Sequence, residues 1–421
     1  MKSSKETDVR GYAAKGTRWN RREFLQAAGA ATLGAVAAGA PGHVSAAEAH
    51  AVTTKHDFIF PQPPTEPLLG LLLGNGDLGV SVWAEGDTLV FSLGKNDVWD
   101  RRLNSSHDQP VVNLDQVIDR VTKGEWDFKN FYQSQPSAHN FSPTPKPVGQ
   151  LRLSGLGAIT NLHLRLNDAT LTFDTPAGSV TVFVEHERNL LLVRLPARAA
   201  EGMRAELFRP REPLDFWTKA NSASFKDAPT PENARDPQNA PLEPPETGIA
   251  GKAFWLRQRI PADPTFPQGF AVVAAAALAG AAGKIVPEPD RISCQVNTGL
   301  GRWTTLAVAV RTTSDRDANL VDATVQLAER ALKEKWRAVH TRHAHAWNRF
   351  WSRSSVEINA SDPADAATAK DSSLAEQLFY QNLYLLACCS RPGVTAPGIY
   401  GNWIFTDYSA WKGLYMLNYN F

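Results

Sequence analysis

Cysteine is scarce. Cys294, Cys388 and Cys389 are the only three in 421 residues, which excludes a disulfide framework. Cys388 and Cys389 are adjacent and apolar-flanked, so buried thiols are expected. Metal-ligand spacings are missing as well. His340, His343 and His345 lie close together, but their spacing does not make an HExxH pattern, and a polar helix face is expected instead. Charge of one sign is lacking: 44 basic residues face 43 acidic ones, a net +1, and no stripe of one sign stands out along the chain. Nucleic acid and charged membrane surfaces are therefore disfavoured as partners. No apolar run reaches the length of a membrane span, and no internal repeat is visible.

What is present begins with a targeting segment. Asn20-Arg21-Arg22-Glu23-Phe24-Leu25-Gln26 is a twin-arginine export motif. A small-residue apolar run from Ala27 to Ala40 follows, and Val44-Ser45-Ala46 offers a cleavage site. Residues 1–46 are expected to be a signal peptide read by the twin-arginine export machinery, giving a periplasmic or extracellular protein. An N-terminal anchor is the alternative, but the run is short and Ala/Gly-rich for a spanning helix.

The mature chain is long enough for two domains. Leu78, Val80 and Val82 alternate with Gly79, Ser81 and Trp83. Glu85-Gly86-Asp87 turns, and Thr88 to Leu93 returns, which predicts a hairpin. Further strands are expected at Asn161–Leu166, Ala169–Asp174, Ser179–Glu185, Asn189–Leu195, Lys252–Ile260, Phe270–Ala277, Arg291–Val296 and Trp303–Arg311. Strands without intervening helices predict an antiparallel β-sandwich over residues 47–314. Pro210–Gly248, with six prolines between Pro229 and Pro245, is expected to be a long loop or insertion.

The character changes after Asp315. Val321, Val325, Ala328, Leu332, Trp336 and Val339 fall on one stripe, which predicts a single linker helix within 315–354. A second helix is expected from Ser373, where Ser373 and Glu376 form a capping box. Leu374, Leu378, Leu385, Leu386 and Cys389 supply its apolar spacing, and Arg391-Pro392-Gly393 ends it. Two helices cannot enclose a core. Residues 355–421 are thus expected to open an α domain that the chain does not complete.

The last stretch carries the densest chemistry. Tyr400, Trp403, Tyr408, Trp411, Tyr415 and Tyr419 interleave with Asn402, Asp407, Asn418 and Asn420. Pyranose C–H faces stack on rings, and sugar hydroxyls need fixed donors and acceptors. A Trp-rich core loop would show the same composition. Asp407, between Trp403 and Trp411, suits either a sugar hydroxyl or an Asx turn. Asp77, Asp97, Trp99 and Asp100 suggest a second carboxylate cluster, for which turn chemistry and strand-end packing are the expected roles.

Two blocks resemble glycoside hydrolase family 95, the inverting α-L-fucosidase family. Leu73-Gly74-Asn75-Gly76-Asp77-Leu78-Gly79 looks like the block that opens the family's β-domain. Lys95-Asn96-Asp97-Val98-Trp99-Asp100 is closer to a related group, domain of unknown function 5703. In the second block, Ser390-Arg391-Pro392-Gly393, Gly401, Trp403, Trp411, Tyr415, Asn418 and Asn420 match the family's C-terminal pattern. The resemblance implies an N-terminal β-sandwich, a linker helix and an (α/α)6 barrel, of which residues 355–421 would be the first helices. It implies that Asn418 and Asn420 orient the attacking water, with an Asp and an acidic Glu downstream, since inversion needs water on the face opposite the acid. An amide is too weakly basic to abstract a proton alone and can only position the water. Trp403, Asp407, Trp411 and Tyr415 become candidate substrate-binding residues. Leu414 and Met416 stand where the family has Asp and His. Met cannot donate the same hydrogen bond, so a sugar other than fucose is expected.

The expected function is an exported glycoside hydrolase that inverts an α-glycosidic bond and needs no cofactor. Its partner would be an oligosaccharide or polysaccharide. The chain without its downstream acid is expected to be inactive. A non-catalytic carbohydrate-binding protein on the same scaffold is the alternative, favoured by Leu414 and Met416. A six-hairpin phosphorylase would need a phosphate site, and no such motif is seen.

Overall fold

A computed structural model describes residues 53–102, 114–125, 143–210, 241–353, 355–358, 366–407, 409, 413 and 415. Eighteen strands lie among them. The first nine are β1 (Phe58–Phe60), β2 (Leu71–Gly74), β3 (Leu78–Glu85), β4 (Thr88–Lys95), β5 (Trp99–Asp100), β6 (Thr144–Pro145), β7 (Gly149–Ser154), β8 (Thr160–Arg165) and β9 (Thr170–Thr175). The rest are β10 (Gly178–Val184), β11 (Leu190–Pro196), β12 (Arg204–Phe208), β13 (Glu246–Ala250), β14 (Ala253–Ile260), β15 (Phe270–Ala279), β16 (Ala281–Glu288), β17 (Arg291–Gly299) and β18 (Trp303–Thr312). The helices are α1 (Leu114–Thr122), α2 (Ala197–Ala200), α3 (Leu320–Lys333), α4 (Trp336–Trp351) and α5 (Ala366–Cys389).

Two antiparallel sheets form the β region. One has nine strands in the order β1-β8-β9-β10-β11-β18-β15-β14-β13, the other seven in the order β16-β17-β12-β7-β4-β3-β2. A short pair, β5 with β6, stands apart. The β3–β4 hairpin has the register expected from its alternation, with Glu85 opposite Thr88 across a two-residue loop. Almost every residue of β3 and β4 is buried, polar ones included. One face meets the sandwich core, and helix α5 packs on β2 and β3.

The nine-stranded sheet is covered by helices. Ala275, Ala277, Ala307 and Ala309 present small side chains, and Val325, Ala328, Ala331 and Val339 pack on them in one buried cluster with Phe183 and Leu192. Short side chains let a helix lie close to a sheet, which is why an alanine-rich run in β15 is buried on both faces.

Several expectations are corrected. The stripe from Val321 to Val339 belongs to two helices, broken at Glu334 and Lys335, which are extended. The break has no Gly or Pro to announce it. Glu334 instead pairs with Arg188 at 2.5 Å and Arg342 at 3.2 Å, and both helices keep feeding the same core. Helix α5 begins before Ser373, and Ser373 lies exposed within it. Glu376 makes no capping box: it bonds His56 Nε2 at 3.0 Å and accepts from the Ile358 N–H. The buried face of α5 is Glu376, Tyr380, Tyr384 and Cys388, whereas Leu374, Leu378 and Leu386 are 48%, 48% and 59% exposed. Tyrosines suit that interface because each hydroxyl satisfies a strand or loop carbonyl. Tyr384 donates to Leu72 O at 3.0 Å and Tyr380 to Val356 O at 2.9 Å. The prolyl segment also stops earlier than Gly248, because Glu246–Ala250 pairs with β14. Beyond residue 355 the described residues hold one helix, so the barrel is not seen among them.

His343 does not sit on a polar helix face. It is buried, stacks on Phe183 at 4.6 Å, and burial lowers its pKa to about 3. Among the described residues no side-chain group could hold a metal ion, and no helix is long and apolar enough to cross a membrane.

Candidate functional site

The two resemblance-bearing blocks meet in space. Trp403 donates its indole N–H to Leu73 O at 3.0 Å, across 330 positions of sequence. The Gly76 N–H reaches Cys388 O at 2.8 Å. Asn96 donates to Gly76 O at 2.9 Å and to Cys389 O at 3.0 Å, tying the hairpin to the end of α5. Asn402 donates to Cys388 O at 3.1 Å. Its backbone lies so close to β3 and β4 that a Cβ at Gly79 or Gly94 would overlap it. Those two glycines are therefore required by close approach rather than by turn geometry.

Asn75 and Asp77 do structural work one layer over. Asn75 donates to Glu185 O and Arg188 O, both at 2.9 Å, and accepts from the Asp77 and Leu78 N–H groups. Asn189 donates to Asp77 at 2.8 Å. The block thus fastens the turn between β10 and β11 to the hairpin sheet. Arg391 of the second block donates to His186 O in the same turn at 2.7 Å.

Two buried ionic groups lie beneath this junction. In the first, Lys95 sits 3.0 Å from Asp77 and 2.8 Å from Asp97, and Thr312 donates to Asp97 at 2.6 Å. Burial alone would lower the Lys95 pKa, but the Asp97 and Asp77 carboxylates leave it raised. In the second, Asp407 is gripped by both terminal nitrogens of Arg209, which is fully buried. Lys146 donates to the Asp407 carbonyl at 2.6 Å and lies 3.9 Å from Asp100. Burial lowers the Lys146 pKa to about 8, against the pull of Asp100 and Asp407. Burial would raise the Asp100 pKa, yet Arg102 and Lys146 hold it lowered. Asp77, Asp97, Asp100 and Asp407 are each committed to cations, so these carboxylates hold structure rather than a proton in transit. Strand-end packing, as expected, accounts for the first three.

The sequence-predicted site residues fall in different places. Trp403 is half-buried, with its N–H engaged as above. Asp407 is buried in the Arg209 pair, which spacing did not suggest. Tyr415 is 46% exposed and stacks on Trp99, with centroids 5.5 Å apart and planes within 13°. Its hydroxyl donates to Ala396 O at 2.6 Å. Trp411, Asn418 and Asn420 lie outside the described residues, as do Leu414 and Met416. The structure therefore joins Asp407 to Lys146 and, through it, Asp100, and joins Tyr415 to Trp99, while Trp403 is fastened to β2. Lys146 and Arg209 were missed. Each is a cation beside proline, with nothing local to mark it as buried.

Chemically, the junction offers a hydrogen-bonded frame and, among the described residues, a presented ring face at Tyr415, backed by Trp99. No family model matches the chain. No curated protein matches it either. Among solved structures, the fold is similar to a "Putative kojibiose phosphorylase from human microbiome", with 10% identity and a TM-score of 0.44. The match covers 79% of this chain and 42% of that one. The chain thus spans less than half the length of the solved protein it is compared with.

Proposed function

We propose that the protein is an exported carbohydrate-active enzyme, an inverting glycoside hydrolase of the family 95 type that cleaves an α-linkage. The observation that carries this reading is the direct packing of the two resemblance-bearing blocks, through Trp403 on Leu73 and Asn402 on Gly79. Blocks that resemble one family and fit each other at backbone distance behave as one unit. In that unit Tyr415 and Trp99 form a wall on which a pyranose face can stack. Trp403 and Trp411 are further wall candidates, and Asp407 holds the segment in place. Asn418 and Asn420 position the water that attacks the anomeric carbon. A downstream Asp assists that water, and a downstream Glu protonates the leaving oxygen from the opposite face. The twin-arginine motif delivers the folded protein to the periplasm or beyond, where glycans are met.

The second reading, a carbohydrate-binding protein without catalysis, is favoured by one observation: Leu414 and Met416 replace the polar pair that the resemblance would place there. The two are separated by incubating the intact protein with a panel of aryl α-glycosides. Hydrolysis predicts release from at least one member and about a hundredfold or greater loss in Asn420→Ala. Release from none, with retained binding to a glycan, would leave the binding reading. An unchanged rate in Asn420→Ala would remove that residue from the mechanism.

A further inference from the structure

Helix α4 departs from the even charge balance of the chain. Its sixteen residues include Arg337, Arg342, Arg349 and three histidines, and no Asp or Glu. Along the sequence no stripe of one sign stands out, because the helix interleaves these cations with Val339, His343, Ala346, Trp347 and Trp351, which are buried. Folding sorts them. Arg337, Thr341, His345 and Arg349 follow one another at successive turns of the outer face, where all four are exposed. Together with Lys335 and Arg342 they line a shallow groove of about 650 Å³, with Glu187 at its side.

The local acids do not neutralise it. Glu185 and Glu334 are shared between Arg188 and Arg342. Glu187 lies 4.0 Å from Arg342. Among the described residues, Lys335, Arg337 and Arg349 have no acid at ion-pair distance. Lys335 and Arg349 are fourteen positions apart, or roughly 20 Å along the helix axis. That span exceeds any single phosphate or sulfate and suits an extended ligand. Among the described residues the only ring lining the groove is the His345 imidazole, a single small platform where a run of nucleobases needs several. Neutral sugars meet the same shortage. Guanidinium groups pair bidentately with carboxylate and sulfate oxygens.

Taking the carbohydrate-active function above as given, we propose that the α4 groove binds an anionic polysaccharide, one bearing carboxylates or sulfates, laid along the helix. The groove is built from neither resemblance-bearing block.

The test is binding of the intact protein to immobilised polygalacturonate and heparin, with dextran, polyglutamate and oligothymidylate as comparators, at 50 and 200 mM salt. The expected result is binding to polygalacturonate or heparin, none to dextran, and an affinity that falls several-fold at the higher salt. The Arg337→Glu/Arg349→Glu variant should bind about tenfold more weakly or worse, and the Arg337→Lys/Arg349→Lys variant, which keeps the charge but not the bidentate pairing, should lose clearly less. Circular dichroism melting checks that both variants fold. No binding of either polysaccharide at 50 mM salt would overturn the proposal, as would undiminished binding by the charge-reversed variant. Equal affinity for polyglutamate or oligothymidylate would overturn it in favour of a general polyanion surface. Aryl glycoside release is scored separately. Release without polyanion binding sinks the groove alone, and polyanion binding without release sinks the hydrolase reading alone.

Discussion

Replacing Asp407 by alanine should loosen the C-terminal segment more than any surface change could. Arg209 is fully buried and spends two nitrogens on the Asp407 carboxylate. Removing one partner of a buried pair strands the other charge, at a cost of about 3–5 kcal/mol. The compact unit spans Ala46–Phe421, 376 residues by 421 − 45. With an unfolding entropy of about 2 cal/mol/K per residue, that cost corresponds to a melting shift of about 4–6 °C if the unit unfolds as a whole. If only the segment detaches, the same energy appears as lost amide protection around Trp403 and Ile404 with little change in melting. Calorimetry and hydrogen exchange together capture either outcome. The Arg209→Met/Asp407→Leu double variant should recover most of the loss, because a well-packed apolar pair avoids the desolvation that the ions suffer. A cost below about 1 kcal/mol for Asp407→Ala, with protection unchanged, would refute the view that this pair holds the segment.

Other outcomes follow from the same contacts. Gly94→Ala pushes a methyl group into the Asn402 backbone and should cost about 1–3 kcal/mol, read as a lower denaturant midpoint at constant slope. Lys146 gives a pH signature. Its folded pKa is about 8, below the unfolded value, so between about pH 8 and 10.4 the unfolded chain holds a proton that the folded chain has released. Stability of the wild type relative to Lys146→Met should therefore rise across that window, by up to about 3 kcal/mol. Lys95 works the other way. Its raised pKa contributes stability that is present below the unfolded lysine value and lost as pH climbs through the folded one. All three cysteines are buried with raised pKa values, that of Cys389 at about 11. The native protein should react slowly with a thiol reagent at pH 8, and the unfolded protein at all three thiols. A fast native reaction would place a cysteine at the surface.

Much of the β region was legible because alternation and turn chemistry agree there. Leu78 to Leu93 announces its own hairpin, and the runs from Asn161 to Leu195 needed only the period of two. Strands β1, β2, β5, β6, β7, β12, β13 and β16 were passed over. Residues 281–288 lie at a sheet edge and are exposed or half-exposed, so no buried face imprints a pattern. Helix boundaries failed where tertiary partners overrode local signals. Ser373 and Glu376 satisfy the capping pattern, yet Glu376 bonds His56, which precedes it by 320 positions. Leu374, Leu378 and Leu386 of α5 are exposed. Its tyrosines are buried, because a hydroxyl can meet a strand carbonyl and a leucine cannot. At the candidate site, the two blocks were legible as motifs, but their packing on each other was not. Nothing in Gly79 or Gly94 states that Asn402 will lie against them. Lys146 and Arg209 were illegible for a related reason: a buried charge looks like a solvated one until its partners arrive.

Inverting hydrolysis of an α-glycosidic bond is the proposed function. It is tested most directly by following the anomer released from a cleaved aryl α-glycoside by proton NMR, in the first minutes with intact protein. Inversion predicts that the β-anomer appears first and the α-anomer only later, through mutarotation. Initial appearance of the α-anomer would contradict the account, as would release of no sugar from any α-glycoside offered.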